Sequence, residues 1–467
     1  MSDHSETGWF ADLLYLNGKF ESELAMFAGK SGRITRFSKD PSDLARACQL
    51  RRRAILPGLI NCHSHSFQRV IRARTEHRTA ARRDTFWTWR EAMYHAANRL
   101  SPEDIYHVAR MAFIEMLKSG ITTVGEFHYL HNAPDGSRYA DPNLLALKVL
   151  RAAGEVGLRI ALLRTAYARA GRQSQPNPAQ ARFITPTPEV FLADTDALVE
   201  RLQNDRTLDS AWVGIAPHSI RALPTDYLVE IAGYARARQL PVHMHVAEQR
   251  AEIDECLVEH ALRPVELIER LGVLDALFTA IHAIHITREE AGFLGRARAR
   301  VCACPTTERN LGDGAVRADE LGEAGVAICL GSDSNIQIDL LEDARLLEYH
   351  LRMNKLERAI LAPDSSEDAL AKRLFAATTE VGSAALKAPG GSLEIGRPAD
   401  FFTIDLNDPS IAGSGNESLL SHVVFSLERT AIRDVFVNGD IVVQDGHHKL
   451  EETVTSEFDC IQRRLWN

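Results

Sequence analysis

Two histidines one residue apart end an apolar run near the start of the chain, LPGLINCHSHSFQR at positions 56–69. If this run is a β-strand, His63 and His65 point to the same face, because residues i and i+2 of a strand do so. Two neutral imidazoles on one face can bind a single divalent cation such as zinc. A histidine at a strand end is more often an ordinary polar residue, so the pair alone leaves metal binding open.

Further candidate ligands close other apolar runs. His245 and Glu248 form an H-x-x-E pattern at the end of LPVHMHVAE. His282 and His285 end the run ALFTAIHAI, and Asp333 ends VAICLGSD. A set in which each group closes a different run is hard to produce by chance. It predicts a site of imidazole and carboxylate ligands for a divalent ion, with a position left open for water.

Cysteines are the weaker alternative as ligands. Cys62 alternates to the opposite face of its run, and Cys302 and Cys304 form C-x-C rather than the C-x-x-C of zinc knuckles. The chain has seven cysteines, an odd number, and most lie in apolar stretches. This pattern indicates buried thiols in a reducing compartment, which predicts a cytoplasmic protein.

Eight apolar runs, separated by helical patterns, must position these groups. The clearest helical pattern is residues 101–120, with Ser101 as its cap and Gly120 at its end. Parallel strands need helical crossovers, so the alternation predicts an α/β fold, a (β/α)₈ TIM-like barrel with functional residues at the C-terminal ends of its strands. A doubly wound sheet is the alternative, and no G-x-G-x-x-G after the first strand supports it. The runs are 54–63, 121–129, 158–167, 212–219, 240–248, 276–284, 300–305 and 326–333.

The two ends of the chain have short strand-like pieces and turns instead. Asn-Gly pairs at 17–18 and 438–439 are typical of hairpins. We expect a small β-sandwich domain built from both termini, residues 1–56 and 391–467. The catalytic barrel would then occupy residues 57–390.

Composition limits the classes of partner. The 467 residues are 45% hydrophobic and 25% charged, as in ordinary globular proteins, and the net charge is −9. This acidic balance disfavours nucleic acid as a partner. No apolar run has the length of a membrane span, and the acidic start does not resemble a signal peptide. A small-molecule substrate is expected.

The motifs resemble those of the amidohydrolase superfamily. P-G-x-x-x-x-H-x-H, the H-x-x-E, the histidine of the sixth run and the Ser-Asp of the eighth are similar to its mononuclear aminohydrolase, or deaminase, branch. Binuclear members carry a carboxylated lysine after the fourth strand, and WVGIAPHS contains none, which favours one metal. The resemblance implies zinc, with iron as an alternative, held by four ligands: His63, His65, His245 and Asp333.

The resemblance and the chemistry together assign three catalytic roles. The cation lowers the pKa of a bound water, and Asp333 accepts that water's proton. The resulting hydroxide attacks the substrate carbon. Glu248 transfers a proton to the departing nitrogen, which leaves as neutral ammonia. His282 orients the attacking oxygen and stabilises charge on the tetrahedral intermediate.

Four further motifs resemble those of one family and imply a substrate. FWTWRE, GEFHYLH, APHSIRA and CPTTERNLGDG are similar to the formimidoylglutamate deiminase family, over most of the chain. This implies hydrolysis of N-formimidoyl-L-glutamate to N-formyl-L-glutamate and ammonia in histidine breakdown, by a homodimer. Two arginines suit two carboxylates, because each guanidinium forms forked charge-assisted bonds. The substrate-binding residues it implies are Gln68, Arg90, Tyr129, His218 and Arg221.

Three alternatives stay open at this point. The substrate could be formimidoylaspartate, or a heterocycle such as guanine. The barrel could also be an inactive binding or scaffold protein, although such relatives lose metal ligands and every expected ligand is present here. One departure from the family pattern is Arg309, where a small residue is usual. We expect its side chain to face solvent.

Overall fold

The computed structural model describes residues 6–78, 85–171 and 177–466. The N-terminal segment contributes five strands and a short helix, α1 (Pro41–Arg46), to a small β-domain. Asn17 and Gly18 join the first two strands with φ values of 50° and 81°, which is the tight hairpin turn that Asn-Gly favours. The strands are β1 (Thr7–Leu16), β2 (Lys19–Glu21), β3 (Ala25–Ala28), β4 (Ile34–Ser38) and β5 (Cys48–Pro57).

The central segment forms an eight-stranded parallel sheet in which each strand pairs with the next in sequence. The sheet closes where Asp333 N–H donates to His63 O and His65 N–H donates to Asp333 O, both at 2.9 Å. The predicted barrel is therefore confirmed. Its strands are β6 (Leu59–Ser64), β7 (Ile121–His128), β8 (Arg159–Ala166), β9 (Ala211–Pro217), β10 (Val242–Val246), β11 (Phe278–His282), β12 (Arg300–Ala303) and β13 (Ala327–Leu330).

The first predicted run, 54–63, is in fact divided between the two domains. It contains the end of β5 and most of β6, separated at Gly58. A Cβ on Gly58 would lie 2.2 Å from Thr122 Oγ1, so only glycine lets the chain pass this close to the neighbouring strand. One continuous apolar run thus connects the β-domain to the barrel.

Helices surround the barrel, and none among the described residues is both long and apolar enough to cross a membrane. The predicted helix at 101–120 is α3, where Ser101 and Asp104 cap each other's backbone N–H groups. The helices after α1 are α2 (Phe86–Ala97), α3 (Pro102–Lys118), α4 (Leu144–Val156), α5 (Pro188–Asn204), α6 (Thr225–Arg238), α7 (Arg250–His260), α8 (Pro264–Arg270), α9 (Arg288–Arg296), α10 (Pro305–Leu311), α11 (Ala318–Glu323), α12 (Leu340–Lys355), α13 (Ala369–Ala377), α14 (Glu380–Leu386), α15 (Leu419–Phe425) and α16 (Glu451–Trp466).

The C-terminal segment returns to the β-domain with β14 (Phe401–Asp405), β15 (Ile432–Val437), β16 (Asp440–Gln444) and β17 (His447–His448). The small β-domain from both termini is confirmed. Its strands join one nine-stranded sheet rather than two separate layers, because β14 pairs with β5 and links the two halves. Phe402 packs into the barrel core, while Phe401 on the opposite face packs into a separate apolar cluster.

The C-terminal segment contains the expected strands and turns, and it also contains helices that were not predicted, the last of which is α16. Its buried residues recur at helical spacing, so the signal was present in the sequence. They are Val454, Phe458, Ile461 and Leu465.

Candidate metal centre

Four side chains converge at the C-terminal mouth of the barrel. His63 lies on β6 and His65 directly follows it, His245 lies on β10, and Asp333 follows β13. All four are buried, and one ligand atom of each lies within 4.8 Å of the others. Nε2 of both His63 and His65 is 3.3 Å from Asp333 Oδ1, and the Nε2 atoms of His63 and His245 are 3.2 Å apart.

Backbone carbonyls orient two of these imidazoles. Nδ1 of His65 lies 2.9 Å from Phe127 O, and Nδ1 of His245 lies 3.0 Å from His218 O. A carbonyl only accepts, so each Nδ1 carries the proton and each Nε2 presents a lone pair to the centre. Lone pairs converging on one point in a buried site repel unless a cation lies between them. The donor set therefore fits a divalent metal ion.

The electrostatics of the four groups agree with this fit. Burial, followed by the charge of His63, lowers the pKa of His65 to about 3, and burial also lowers the pKa of His63 and of His245. Burial alone would raise the pKa of Asp333, but its hydrogen bond with His63 and the nearby histidine charges bring it below its usual value. Neutral imidazoles and an ionised carboxylate are the forms that bind metal.

Glu248 and His282 lie at the edge of this cluster. His282 Nε2 is 3.7 Å from Asp333 Oδ2 and 3.9 Å from Glu248 Oε1. Burial would lower the pKa of His282, but the charge of Glu248 and a hydrogen bond to Glu308 raise it to about 10. His282 is thus a proton donor that faces the same space as the four ligands.

Glu308 is a residue that the sequence reasoning missed. It is fully buried on α10, where its Oε1 accepts from Cys304 N–H at 2.8 Å and lies 3.2 Å from His282 Nδ1. It therefore fixes the ring of His282 from the side away from the cluster. The sequence signal for Glu308 was its place within CPTTERNLGDG, next to Arg309.

The backbone at the strand ends is strained. His282 and Asp333 have φ values of 69° and 47°, in the left-handed region that residues with a side chain seldom adopt. Hydrogen bonds of the barrel closure hold Asp333 there. Such strain persists where surrounding contacts hold an unfavourable backbone conformation, and it is common where that conformation directs a side chain into a functional site.

All five predicted substrate-binding residues line the pocket that also contains the metal cluster, Glu248 and His282. Gln68 follows β6 and donates from Nε2 to the hydroxyl of Tyr129, which follows β7, at 2.8 Å. His218 follows β9 and supplies both its ring to the pocket and its carbonyl to His245. The ring of His218 lies 5.0 Å from that of His245 and 4.6 Å from that of Tyr167, measured between centroids.

Arg90 on α2 and Arg221 after β9 also line the pocket. Their Cζ atoms lie 5.4 and 5.5 Å from the centroid of the same ring, that of Trp87. No carboxylate of the described residues lies within ion-pair distance of either arginine, and Nε of Arg221 is buried without a hydrogen-bond partner. The charge of Arg221 acts at longer range on the buried carboxyl of Glu252, whose pKa it lowers against the larger effect of burial. Two cations without a carboxylate in direct contact therefore line one pocket.

Four other histidines and arginines of the same sequence runs lie elsewhere. Arg309 is exposed, with Gln337 Oε1 at 3.2 Å, in keeping with the expectation that it faces solvent. Arg69 pairs with Glu115 at 2.8 Å. His243 lies on β10 like His245, but its Nε2 makes a 3.0 Å hydrogen bond with Ala385 O. Neither His243 nor His285 belongs to the metal cluster.

Comparisons with known proteins agree on the class of protein. The amidohydrolase family matches residues 54–442. The formimidoylglutamate deiminase of Pseudomonas aeruginosa is 37% identical over 406 residues, 87% of this chain and 88% of that protein. A 5-methylthioadenosine/S-adenosylhomocysteine deaminase of Natronomonas pharaonis is 27% identical over 400 residues, 84% of this chain and 81% of that one. The crystal structure of an amidohydrolase from Brucella melitensis superposes with a TM-score of 0.90 at 31% identity, covering 99% of this chain and 100% of that chain.

Proposed function

The chain belongs to the amidohydrolase family, and we propose that it hydrolyses N-formimidoyl-L-glutamate to N-formyl-L-glutamate and ammonia, a step of histidine breakdown. The observation that carries the proposal is the pair Arg90 and Arg221, two cations in the pocket of the metal cluster that no carboxylate of the described residues contacts within ion-pair distance. A substrate with two carboxylates supplies the missing anions. The similarity to the Pseudomonas formimidoylglutamate deiminase supports the same substrate.

The charge pattern of the pocket also supports this substrate. Both arginines lie against the ring of Trp87, whereas Asp333 belongs to the metal cluster and Glu248 lies at its edge. The glutamate part of the substrate carries two negative charges. The carboxylate end of the substrate thus meets groups of opposite charge when the reacting end lies at the metal cluster.

His63, His65, His245 and Asp333 would hold the metal, which we propose to be zinc. Three imidazoles and one carboxylate form a donor set that zinc accepts with a position left open. When bound, a divalent cation makes hydroxide available near neutral pH by lowering the pKa of water.

The side chains of the chain account for the protons of the reaction. A carbon–oxygen bond forms at the formimidoyl carbon and a carbon–nitrogen bond breaks, so two protons move from water to the departing nitrogen. Asp333 accepts the first proton when the water oxygen attacks and the second when the carbonyl forms, and Glu248 passes each to the nitrogen. Burial raises the pKa of Glu248, which suits it to hold a proton and deliver it to the nitrogen. His282, whose Nε2 lies 3.7 Å from Asp333 Oδ2, donates a hydrogen bond to the oxygen that gains negative charge.

A substrate panel tests the proposal. Ammonia release is measured for formimidoyl-L-glutamate, formimidoyl-L-aspartate, guanine and 5′-methylthioadenosine. We expect the highest kcat/KM for formimidoyl-L-glutamate and no ammonia after the metal is removed by a chelator. A higher kcat/KM for a purine compound would contradict the proposal. A higher kcat/KM for formimidoyl-L-aspartate would show that the substrate is this shorter diacid instead.

We further propose that the protein is a cytoplasmic homodimer. All seven cysteines are free and five of them are buried, which supports a reducing compartment. The dimer follows from the family resemblance, and light scattering coupled to size-exclusion chromatography would test it.

A further inference from the structure

Two tyrosine hydroxyls accept hydrogen bonds from the guanidinium of Arg90. Its Nε donates to the hydroxyl of Tyr94, and its Nη2 donates to the hydroxyl of Tyr167 at 3.4 Å. A guanidinium has five N–H groups, so three remain, and they make no hydrogen bond with any described residue. The two phenols therefore hold one side of the guanidinium and leave the other side free for an anion.

The two phenols are in turn joined by one buried amide. Nε2 of Gln180 lies 2.6 Å from the hydroxyl of Tyr94 and 2.9 Å from that of Tyr167. Either orientation of the amide bonds both hydroxyls, since a hydroxyl both donates and accepts. Phe183 packs behind the same two rings, with centroids 5.7 and 6.0 Å away.

Gln180 and Phe183 belong to the single 3₁₀ turn Pro178–Phe183, which the barrel itself anchors. Arg182 of this turn is fully buried, and its guanidinium donates to Leu100 O at 2.8 Å and to Asn132 O at 3.1 Å. Backbone carbonyls thus fix the turn. The position of Gln180 is set by the fold rather than by a mobile surface contact.

We infer that Tyr94, Tyr167 and Gln180 are positioning residues that hold Arg90 in the geometry for one carboxylate of the substrate. This inference rests on the proposed function. An arginine side chain loses much rotamer freedom when it binds, and holding it beforehand lowers that cost. Burial raises the pKa of Tyr167, so its hydroxyl keeps its proton and remains a neutral partner for the guanidinium.

Arg221 lacks such a support. Among the described residues its guanidinium lies against Trp87, and its Nε has no hydrogen-bond partner. The two arginines therefore differ: Arg90 is held before the substrate binds, and Arg221 must be ordered by the substrate. The carboxylate that meets Arg90 is the one on which specificity depends most.

Removal of single hydroxyls or of the amide tests the inference. Tyr94→Phe, Tyr167→Phe and Gln180→Leu are compared with Tyr227→Phe, a matched control that removes the hydroxyl of a buried tyrosine outside the pocket. For formimidoyl-L-glutamate we expect KM to rise about tenfold in the three variants, while kcat changes less than about twofold. Each tyrosine variant loses a hydrogen bond to the guanidinium, and Gln180→Leu removes the amide that holds both hydroxyls in place. The control should match the unsubstituted enzyme.

Two shortened substrates separate positioning from a general structural effect. N-formimidoyl-4-aminobutyrate lacks the α-carboxylate, and N-formimidoyl-2-aminobutyrate lacks the γ-carboxylate. For the analogue without the carboxylate that meets Arg90, the variants should add no further rise in KM, whereas for the other analogue the tenfold rise should persist. An equal rise for all three substrates, or a fall confined to kcat, would overturn the inference.

A binding measurement distinguishes failure of the inference from failure of the proposed function. Titration calorimetry with glutarate, a dicarboxylate that is not turned over, compares its Kd in the unsubstituted enzyme and in the variants. Absence of ammonia release in every protein would refute the proposed function, yet weaker glutarate binding in the three variants would still support the role of the tyrosines. Unchanged glutarate affinity in these variants would refute it.

Discussion

The two ends of the pocket are built in different ways. At the metal end, the ligands lie on or next to barrel strands, and backbone groups hold them: Phe127 O and His218 O bind His65 and His245, and the closure of the barrel holds Asp333. At the arginine end, Arg90 comes from α2, and side chains alone hold it. The first end depends on the path of the strands and the second on residues of the connecting segments.

This difference separates chemistry from specificity. The strands fix the positions of the carbonyls that accept from the two imidazoles, so the metal end is a property of the barrel. Loops and added helices change without disturbing the barrel, and a barrel of this kind therefore supports many substrates with one reaction centre. Substitutions at the metal end should change metal content and kcat, whereas those at the arginine end should change KM.

The largest expected effect is the loss of a metal ligand. In His63→Ala the bound metal should be lost, and kcat/KM should fall at least about a thousandfold, because hydroxide is no longer available near neutral pH. Elemental analysis and an ammonia assay measure both quantities. Arg309→Ala removes an exposed cation near the mouth and should change neither. Full metal content with full activity in His63→Ala would show that the cluster is not the reaction centre.

A smaller loss is expected when the proton carrier is removed. Glu248→Gln keeps the shape of the side chain and should lower kcat by about 10²–10⁴-fold, the usual share of general acid–base catalysis. Metal content and KM should stay close to those of the unsubstituted enzyme. If ammonia release persisted at its original rate, the role of Glu248 would have to pass to another group.

Substitutions of the arginines should act at the other end. Arg90→Met and Arg221→Met should each raise KM by about 10–100-fold through the loss of a charge-assisted pair, with metal content unchanged. Arg90→Lys should recover part of the loss at most, because an ammonium cannot bond both phenols and a carboxylate in the same plane. A lowered metal content in these variants would contradict the separation of the two ends.

The smallest effect on activity is expected at the opposite face of the barrel. Arg159 at the start of β8 donates from Nε to Asp400 Oδ2 at 2.6 Å, and Asp400 is fully buried next to β14. Asp400→Ala leaves a buried guanidinium without its partner and should lower the free energy of unfolding by about 3–5 kcal/mol. Chemical unfolding measures this loss, while kcat and KM of the folded enzyme at low temperature should not change. A change in KM would show that the two faces of the barrel are coupled.

Much of the metal end could be predicted from local sequence patterns. The two-residue period of a strand brings His63 and His65 to one face, and the alternation of runs with helices predicts the barrel. Asp333 could be placed near them because parallel strands of a barrel end at one edge. The three-residue spacing to Glu248 selected His245 over His243, and the structure brings His245 into the cluster.

The arginine end could be predicted only in part. Arg90 and Arg221 came from a resemblance, and nothing local in the sequence relates Tyr94 and Tyr167 to Gln180. Their meeting depends on how α2 and the segments after β8 fold over the barrel mouth, a result of packing between distant parts of the chain. Glu308 was missed for a similar reason, since its partner His282 lies 26 residues away.

The sequence by itself determined which residues alternate, which runs are strands and which strand ends carry histidines and carboxylates, because these are local patterns of the chain; the family resemblance implied which four of them are the ligands. The tertiary structure decided that His63, His65, His245 and Asp333 meet with their nitrogens and oxygen toward one point. It also decided that Arg90 is held by two phenols and a buried amide. Such convergence requires closure of the barrel and docking of its loops, and the free energy of both comes from contacts between residues far apart in the chain.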